Sequence, residues 1–377
     1  MQRRVVVSLA RLFRDEVPGA LPRGRLNDGL PRLKGVHARL TREPPEPLPS
    51  LERVLAAVTW LQARAEVIVV VGQPGALLAV RAWLDALAPG ALVRFVGGPD
   101  AELLDAGRGV ALVALVGPDW VDAAVEAAVA AGRPVVVAGP TPDDLEDGEV
   151  VDPPSGGLWL DDPHAGDGRF GILGAAALVI AGFAGIDVAA LIDGADEMLV
   201  ACTKPALTEN PAYSYALGCI YAERELGLRV PAHVTSNPRL ETFVVWAART
   251  WATTMTGASS VAGLRARSGG APLAGLLGDE ELTELLLEGP REFLLTTWEH
   301  GPSAHDDALL AVSRDRPSVR ILLFGGDARA MGAAAALMCR AAIAGGLLTD
   351  RDPRTLVSLS RWREAVMPAV DAGEPAE

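Results

Sequence analysis

The 377-residue chain has only three cysteines, Cys202, Cys219 and Cys339, and no pair falls at CxxC spacing. An odd, scattered count excludes a disulfide framework and a cysteine-ligated zinc site, so each thiol reads as free and buried. Aromatic residues make up 5% of the chain. Its cores must therefore be filled by Ala, Val and Leu, which suits helices laid on buried parallel strands better than an all-β sandwich. Positive charge is scarce: 34 Lys and Arg stand against 48 Asp and Glu, a formal net charge of -14. So acidic a surface repels phosphate backbones and anionic lipid, and neither nucleic acid nor a membrane is an expected partner. Any anionic ligand would need a local concentration of Arg or backbone N–H groups.

Histidines number five. His300 and His305 fall in what reads as a loop with Glu299, Asp306 and Asp307, at a spacing that is not a ligand pattern, so no metal is expected. His37 and His164 read as exposed loop residues. The start, Met1-Gln2-Arg3-Arg4, leads into no sustained apolar run or small-residue cleavage site. The longest apolar stretch, 172–186, is short of a membrane span, and a cytoplasmic location is the expectation.

Half the residues are apolar, and the length suits two to three domains. After a proline-broken N-terminal segment (1–50), a helix from Leu51 leads into Val67-Ile68-Val69-Val70-Val71-Gly72. Helices then alternate with the runs at 92–96, 110–116 and 134–138. Continuous apolar runs of this length between helical patterns predict a parallel sheet covered on both faces. Residues 141–165, rich in Asp, Pro and Gly, read as a loop. Helices at 171–184, 188–193 and 211–226 precede a second alternation, with strands at 232–235, 292–297 and 318–323 and helices at 240–256, 279–287 and 328–343. The expected fold class is α/β: two doubly wound αβα sandwich domains with mainly parallel sheets, at 51–165 and 211–345. Helices at 166–210 link them, and 346–377 is a C-terminal tail.

The order of four segments resembles the phosphoglucose isomerase family, built from two sugar isomerase (SIS) domains. Gly168-Arg169-Phe170, with the helix through Leu191, resembles that family's Gly-Gly-Arg-Phe-Ser signature. Trp246–Gly257 resembles its Trp-rich helix, and Leu285-Leu286-Leu287-Glu288-Gly289-Pro290 its helix-to-strand corner. Ala344-Gly345-Gly346-Leu347-Leu348 with Asp352-Pro353 resembles the approach to its C-terminal catalytic lysine. The resemblance covers roughly residues 50 to 365. It implies a sugar phosphate as ligand, no cofactor, and a homodimer.

Aldose–ketose isomerisation needs a carboxylate to move a proton between C1 and C2, acid/base groups to open the ring, and a cation beside the developing enediolate. It also needs a phosphate cradle. By resemblance Arg169 is the cation, with Gly168 permitting close backbone approach. The family's Trp-Ala-Glu-Ser-x-Gly pattern reads Trp251-Ala252-Thr253-Thr254-Met255-Thr256-Gly257, so Thr253 stands where the glutamate belongs. A threonine hydroxyl does not titrate near neutrality, and losing a general base costs roughly 10²–10⁴ in rate. The ring-opening histidine position falls on Glu280, which reads more simply as a first-turn acidic residue favouring the helix dipole. The lysine position falls on Arg361, which keeps the charge but does not readily donate a proton. The phosphate loops read Gly72-Gln73-Pro74-Gly75 and Val116-Gly117-Pro118-Asp119, in which a proline removes one N–H and Asp119 opposes a dianion unless it serves as a helix N-cap. Thr203 and Lys204 are candidate substitute anion contacts.

Three readings stay open on the residues alone: an active sugar-phosphate isomerase; a non-catalytic sugar-phosphate sensor or scaffold on the same fold; or a different isomerase or lyase using Glu280 or Glu284 as base.

Overall fold

The computed structural model describes residues 4–13, 15–17, 19–45, 47–98, 109–115, 117, 119–140, 157–256, 273–276, 286, 293–300, 313 and 316–350. Among these residues ten strands form two five-stranded sheets. In the first, β2 (Val67–Val71), β3 (Val93–Val96), β4 (Val110–Leu115), β5 (Val135–Gly139) and β6 (Leu158–Asp161) take the order β3-β2-β4-β5-β6. Every pair in it is parallel. Strand residues alternate between two cores, with Ile68, Val70, Ala111 and Val113 on one face and Val69, Val71, Leu112 and Ala114 on the other. Burial on both faces is what makes these segments continuous apolar runs in the sequence.

The second sheet contains β1 (Val5–Ser8), β7 (Val230–Thr235), β8 (Leu273–Leu276), β9 (Phe293–His300) and β10 (Ser318–Leu323), in the order β1-β10-β9-β7-β8. It is parallel except at its edge, where β1 runs antiparallel to β10 with Val5 opposite Leu323. The fold is thus α/β with mainly parallel sheets. Three strands depart from the sequence reading, one of them β8, which forms where no strand is expected. β1 arises in the proline-broken N-terminal segment, and β6 lies inside the Asp/Pro/Gly-rich stretch that reads as loop. β9 also runs on through Glu299 and His300, which the sequence reading places in a loop. Glu299 is buried there, accepting from Arg320 Nε at 2.8 Å and Thr297 Oγ1 at 2.7 Å.

Among the described residues nine α-helices pack on and between the sheets: α1 (Leu30–Arg42), α2 (Leu51–Gln62), α3 (Pro74–Leu87), α4 (Asp119–Ala130), α5 (Ala175–Phe183), α6 (Val188–Cys202), α7 (Pro211–Leu226), α8 (Glu241–Thr256) and α9 (Ala328–Leu348). α6 runs well past the expected 188–193. Asp187 caps it, accepting from the N–H of Ala190 at 3.0 Å, and Asn210 caps α7 through the N–H of Tyr213 at 3.1 Å. α4 begins at Asp119, which puts that residue in the first turn. The expected helix at 279–287 lies outside the described residues apart from Leu286. α9, rather than 172–186, is the long apolar element. By length and composition it could cross a membrane, but 94% of its most apolar window is buried against the rest of the protein. That is the character of a central core helix.

α9 lies against α6 at very short range. A Cβ on Gly194 of α6 would fall 1.8 Å from the carbonyl oxygen of Arg329, and one on Gly332 of α9 would fall 2.0 Å from that of Leu191. The two glycines let the helix backbones touch.

Beneath the second sheet lies a fully buried polar chain. Trp298 Nε1 donates to His233 Nδ1 at 3.3 Å, His233 Nε2 meets Tyr215 Oη at 3.0 Å, and Tyr215 Oη meets Thr296 Oγ1 at 3.3 Å. An indole N–H only donates, so Nδ1 must accept and the ring proton sits on Nε2. Burial pushes the His233 pKa down to about 3. The unfolded chain takes up a proton near pH 6.5, whereas the folded chain refuses it until about pH 3. This contribution is therefore complete above pH 6.5 and is lost at up to about 1.4 kcal/mol per pH unit as the pH falls towards 3. Urea unfolding of the wild type and His233→Gln at pH 7.5, 6 and 5 checks it. The variant should lose that part of the acid dependence, and identical slopes would refute the assignment.

Candidate active site

The carboxyl ends of the first-sheet strands meet the segment that leads to α5. Gly72 follows β2, and a Cβ there would fall 2.9 Å from Cβ of Leu115, so a larger residue would press on the end of β4. Gln73 is the N-cap residue of α3 and Pro74 occupies its first turn. Gly117 follows β4, and its Cβ position is 3.5 Å from Cγ of Gln73. Gly168 lies on the first turn of α3: a Cβ added to it would be 2.3 Å from both the carbonyl carbon and the oxygen of Gly75. The structure thus gathers Gly72, Gln73, Gly75, Gly117 and Gly168 at one place.

The segment around Arg169 is held from three sides. Trp246 Nε1 of α8 donates to Gly168 O at 2.9 Å. Cys339 Sγ of α9 lies 3.9 Å from Arg169 O, and burial pushes that thiol up to about 12. Asp162, almost fully buried, accepts from the N–H groups of His164 at 3.0 Å and Ala176 at 2.9 Å, tying the end of β6 to the start of α5. Desolvation raises the Asp162 carboxyl above its ordinary range, and those two N–H groups pull it back.

The Arg169 guanidinium is paired within the segment. Nε donates to Asp167 Oδ1 at 3.1 Å and Nη2 to Asp167 Oδ2 at 3.0 Å, while the Arg169 backbone N–H also reaches Oδ1 at 2.8 Å. The Asp167 side chain is 5% exposed and that of Arg169 is 21% exposed. The guanidinium also stands 5.1 Å over the Phe170 ring.

Thr253 lies on α8 seven residues beyond Trp246. Two turns of helix place it on the same stripe as the indole that touches Gly168. Its hydroxyl is committed to its own helix, donating to Arg249 O at 2.7 Å. The neighbouring Thr250 and Thr254 hydroxyls are buried with no hydrogen-bond partner among the described residues. Thr203 and Lys204 belong to the turn between α6 and α7. There Thr203 Oγ1 donates to Val200 O at 2.8 Å and the Lys204 carbonyl accepts from Asn210 Nδ2 at 2.9 Å. Both are exposed and structural in that turn, and no contact joins them to Arg169 among the described residues. Glu280, Glu284, Arg361 and His305 lie outside the described residues.

No family model matches the chain. Over 137 residues, 36% of its length, it is 35% identical to a probable glucose-6-phosphate isomerase of Halobacterium salinarum, and that match spans 30% of the relative. Over 90 residues it is 37% identical to the probable glucose-6-phosphate isomerase of Haloquadratum walsbyi, spanning 20% of that protein. The chain therefore matches less than a third of the length of these curated relatives. Its fold is similar to the crystal structure of a glucose-6-phosphate isomerase from Chlamydia trachomatis, with a TM-score of 0.72 at 14% identity, over 100% of this chain and 90% of that one. A hypothetical protein from Thermus thermophilus gives 0.74 at 18% identity, over 98% and 100%. The chain thus shares its fold with a glucose-6-phosphate isomerase and is similar in sequence, over part of its length, to probable glucose-6-phosphate isomerases.

Sequence reasoning missed three features of the described structure around this candidate site. Asp167 lies two residues from Arg169, a spacing whose meaning depends on the turn between them. The unpartnered hydroxyls of Thr250 and Thr254 look in the sequence like ordinary helix surface. Two histidines read as exposed are also partly buried: His37 lies on α1 with Nδ1 3.1 Å from Tyr213 Oη, and the His164 ring sits 6.0 Å from Phe170. Among the described residues no group of three or more His, Cys, Asp or Glu side chains is arranged to hold a metal ion.

Proposed function

We propose that this chain binds a sugar phosphate at the Gly72–Gln73–Gly75–Gly117–Arg169 face and has lost the fast proton transfer of an aldose–ketose isomerase. The residue that carries the reading is Thr253, which by resemblance stands at the family's carboxylate position, and whose hydroxyl donates to Arg249 O. The ligand class is inferred from resemblance and from the relatives named as probable glucose-6-phosphate isomerases. Backbone around Gln73 and Gly117 would receive the phosphate, and Arg169 the sugar oxygens.

Two measurements test this. In a coupled assay with glucose 6-phosphate or fructose 6-phosphate, turnover should fall short of an ordinary isomerase by roughly 10²-fold or more. Turnover within tenfold, abolished in Arg169→Ala, would establish the active-isomerase reading instead. In thermal shift, a sugar phosphate at 100 times its Kd should stabilise the wild type by about 2.7 kcal/mol and Arg169→Ala much less. No shift with any of a panel of sugar phosphates would leave only the scaffold reading.

A further inference from the structure

The Arg169–Asp167 pair has a direction. A guanidinium offers five N–H groups in a fixed fork. Asp167 takes the Nε and one Nη2 donor, and is itself nearly buried. The donors without a partner among the described residues lie along the opposite edge, on Nη1 and the second Nη2 hydrogen. The backbone N–H of Arg169 fixes the carboxylate as well, so Asp167 cannot swing away without losing three bonds. The pair is also electrically closed: one negative charge sits against one positive charge at hydrogen-bond distance, and the combined group attracts a further anion only weakly. A free arginine prefers phosphate and carboxylate; an arginine already holding a carboxylate offers directed hydrogen bonds with little net charge.

We infer that Asp167 is a specificity-determining positioning residue: it pre-orients Arg169 so that the Nη edge receives a neutral oxygen of the ligand, a hydroxyl or carbonyl, and it turns that edge away from inorganic anions. The inference rests on the proposed sugar-phosphate reading for the ligand, but not for the clamp itself. It accounts for how a chain of net charge -14 keeps an arginine in a ligand site without making it a general anion trap. The phosphate of the ligand is then met elsewhere, at the start of α3.

The test uses wild type, Asp167→Asn, Arg169→Ala and the double variant Asp167→Asn/Arg169→Ala, with Asp167→Ala as a second variant if the asparagine form does not fold. Isothermal titration with inorganic phosphate and with glucose 6-phosphate, each at 50 and 200 mM salt, reads the selectivity. Asp167→Asn should bind inorganic phosphate at least fivefold more tightly than wild type, with a steeper salt dependence, and the double variant should lose the gain. Phosphate affinity and salt slope unchanged in Asp167→Asn, or reduced as in Arg169→Ala, would overturn the inference. The clamp is read without any sugar. In the wild type the Arg169 Nε–Hε resonance should exchange slowly and be assignable by its loss in Arg169→Ala, and in Asp167→Asn it should exchange at least tenfold faster. Fast exchange in the wild type would overturn the clamp. Failure of glucose 6-phosphate to bind with the slow resonance present would remove the sugar-phosphate reading and leave the clamp standing.

Discussion

Gly332→Ala should lower the urea midpoint of the protein by an amount equivalent to about 3 kcal/mol, with the slope of the transition unchanged. A methyl group at that position would fall 2.0 Å from Leu191 O, 2.8 Å from its carbonyl carbon and 3.0 Å from its Cα. Ordinary carbon–oxygen contact needs roughly 3.3 Å. Neither obstacle is a side chain that can rotate away, so one helix must move relative to the other by more than an ångström. α9 also packs on α7 and α8, and its interior residues from Ala330 to Ala336 are almost fully buried, so the displacement is felt on every side. The sign makes the experiment decisive. In a helix free of neighbours, glycine to alanine is stabilising by about 1 kcal/mol. A midpoint that rises would show that α6 and α9 do not touch at Gly332. Gly194→Ala, with its Cβ 1.8 Å from Arg329 O, should behave in the same way.

The second large effect concerns the site. Gly168→Ala would place a Cβ 2.3 Å from the carbonyl carbon and oxygen of Gly75, so the Arg169 segment must lift from the first turn of α3. Lifting it strains or breaks the 2.9 Å bond from Trp246 Nε1 to Gly168 O, and swings the Asp167–Arg169 pair away from Gln73 and Gly117. The expected cost is about 2–4 kcal/mol of stability, from overpacking and one lost hydrogen bond. Sugar-phosphate affinity should fall by at least tenfold, measured by titration calorimetry at a temperature where the variant is still folded. The emission of Trp246, isolated by comparison with Trp246→Phe, should report the lost bond. A variant that melts within a degree of the wild type and binds equally well would show that Gly168 has room to spare.

These two glycine sites show where the sequence is legible and where it is not. Strands β2, β4 and β5 are plain in it because burial on both faces leaves no polar residue to interrupt Val67–Val71, Val110–Leu115 or Val135–Gly139. β1 is four residues long, and its partner strand lies more than 300 residues away, so nothing local marks it. β6, Leu158-Trp159-Leu160-Asp161, is hidden by the Asp, Pro and Gly residues before it. Gly194 and Gly332 look like weak points inside helices, since what they permit is a neighbour that the sequence does not name. The grouping of Gly72, Gly75, Gly117 and Gly168 follows from strand ends and a signature, and the structure places them together. Asp167 as the partner of Arg169, and His233 as one link in a chain from Trp298 to Tyr215 and Thr296, depend on turn geometry and on register between strands.

The antiparallel edge strand carries a consequence for the order in which the protein is made. Val5–Ser8 leaves the ribosome more than 300 residues before the strand it pairs with. At about 5–20 residues per second β1 waits roughly 15–60 s for its partner. Throughout that interval a short valine-rich segment with unpaired backbone N–H and C=O groups is exposed to other nascent chains. The first sheet can close during the same period, since all of its strands lie between residues 67 and 161. Synthesis thus finishes one sheet early and leaves the other open until β10 emerges and Val5–Ser8 can seal its edge.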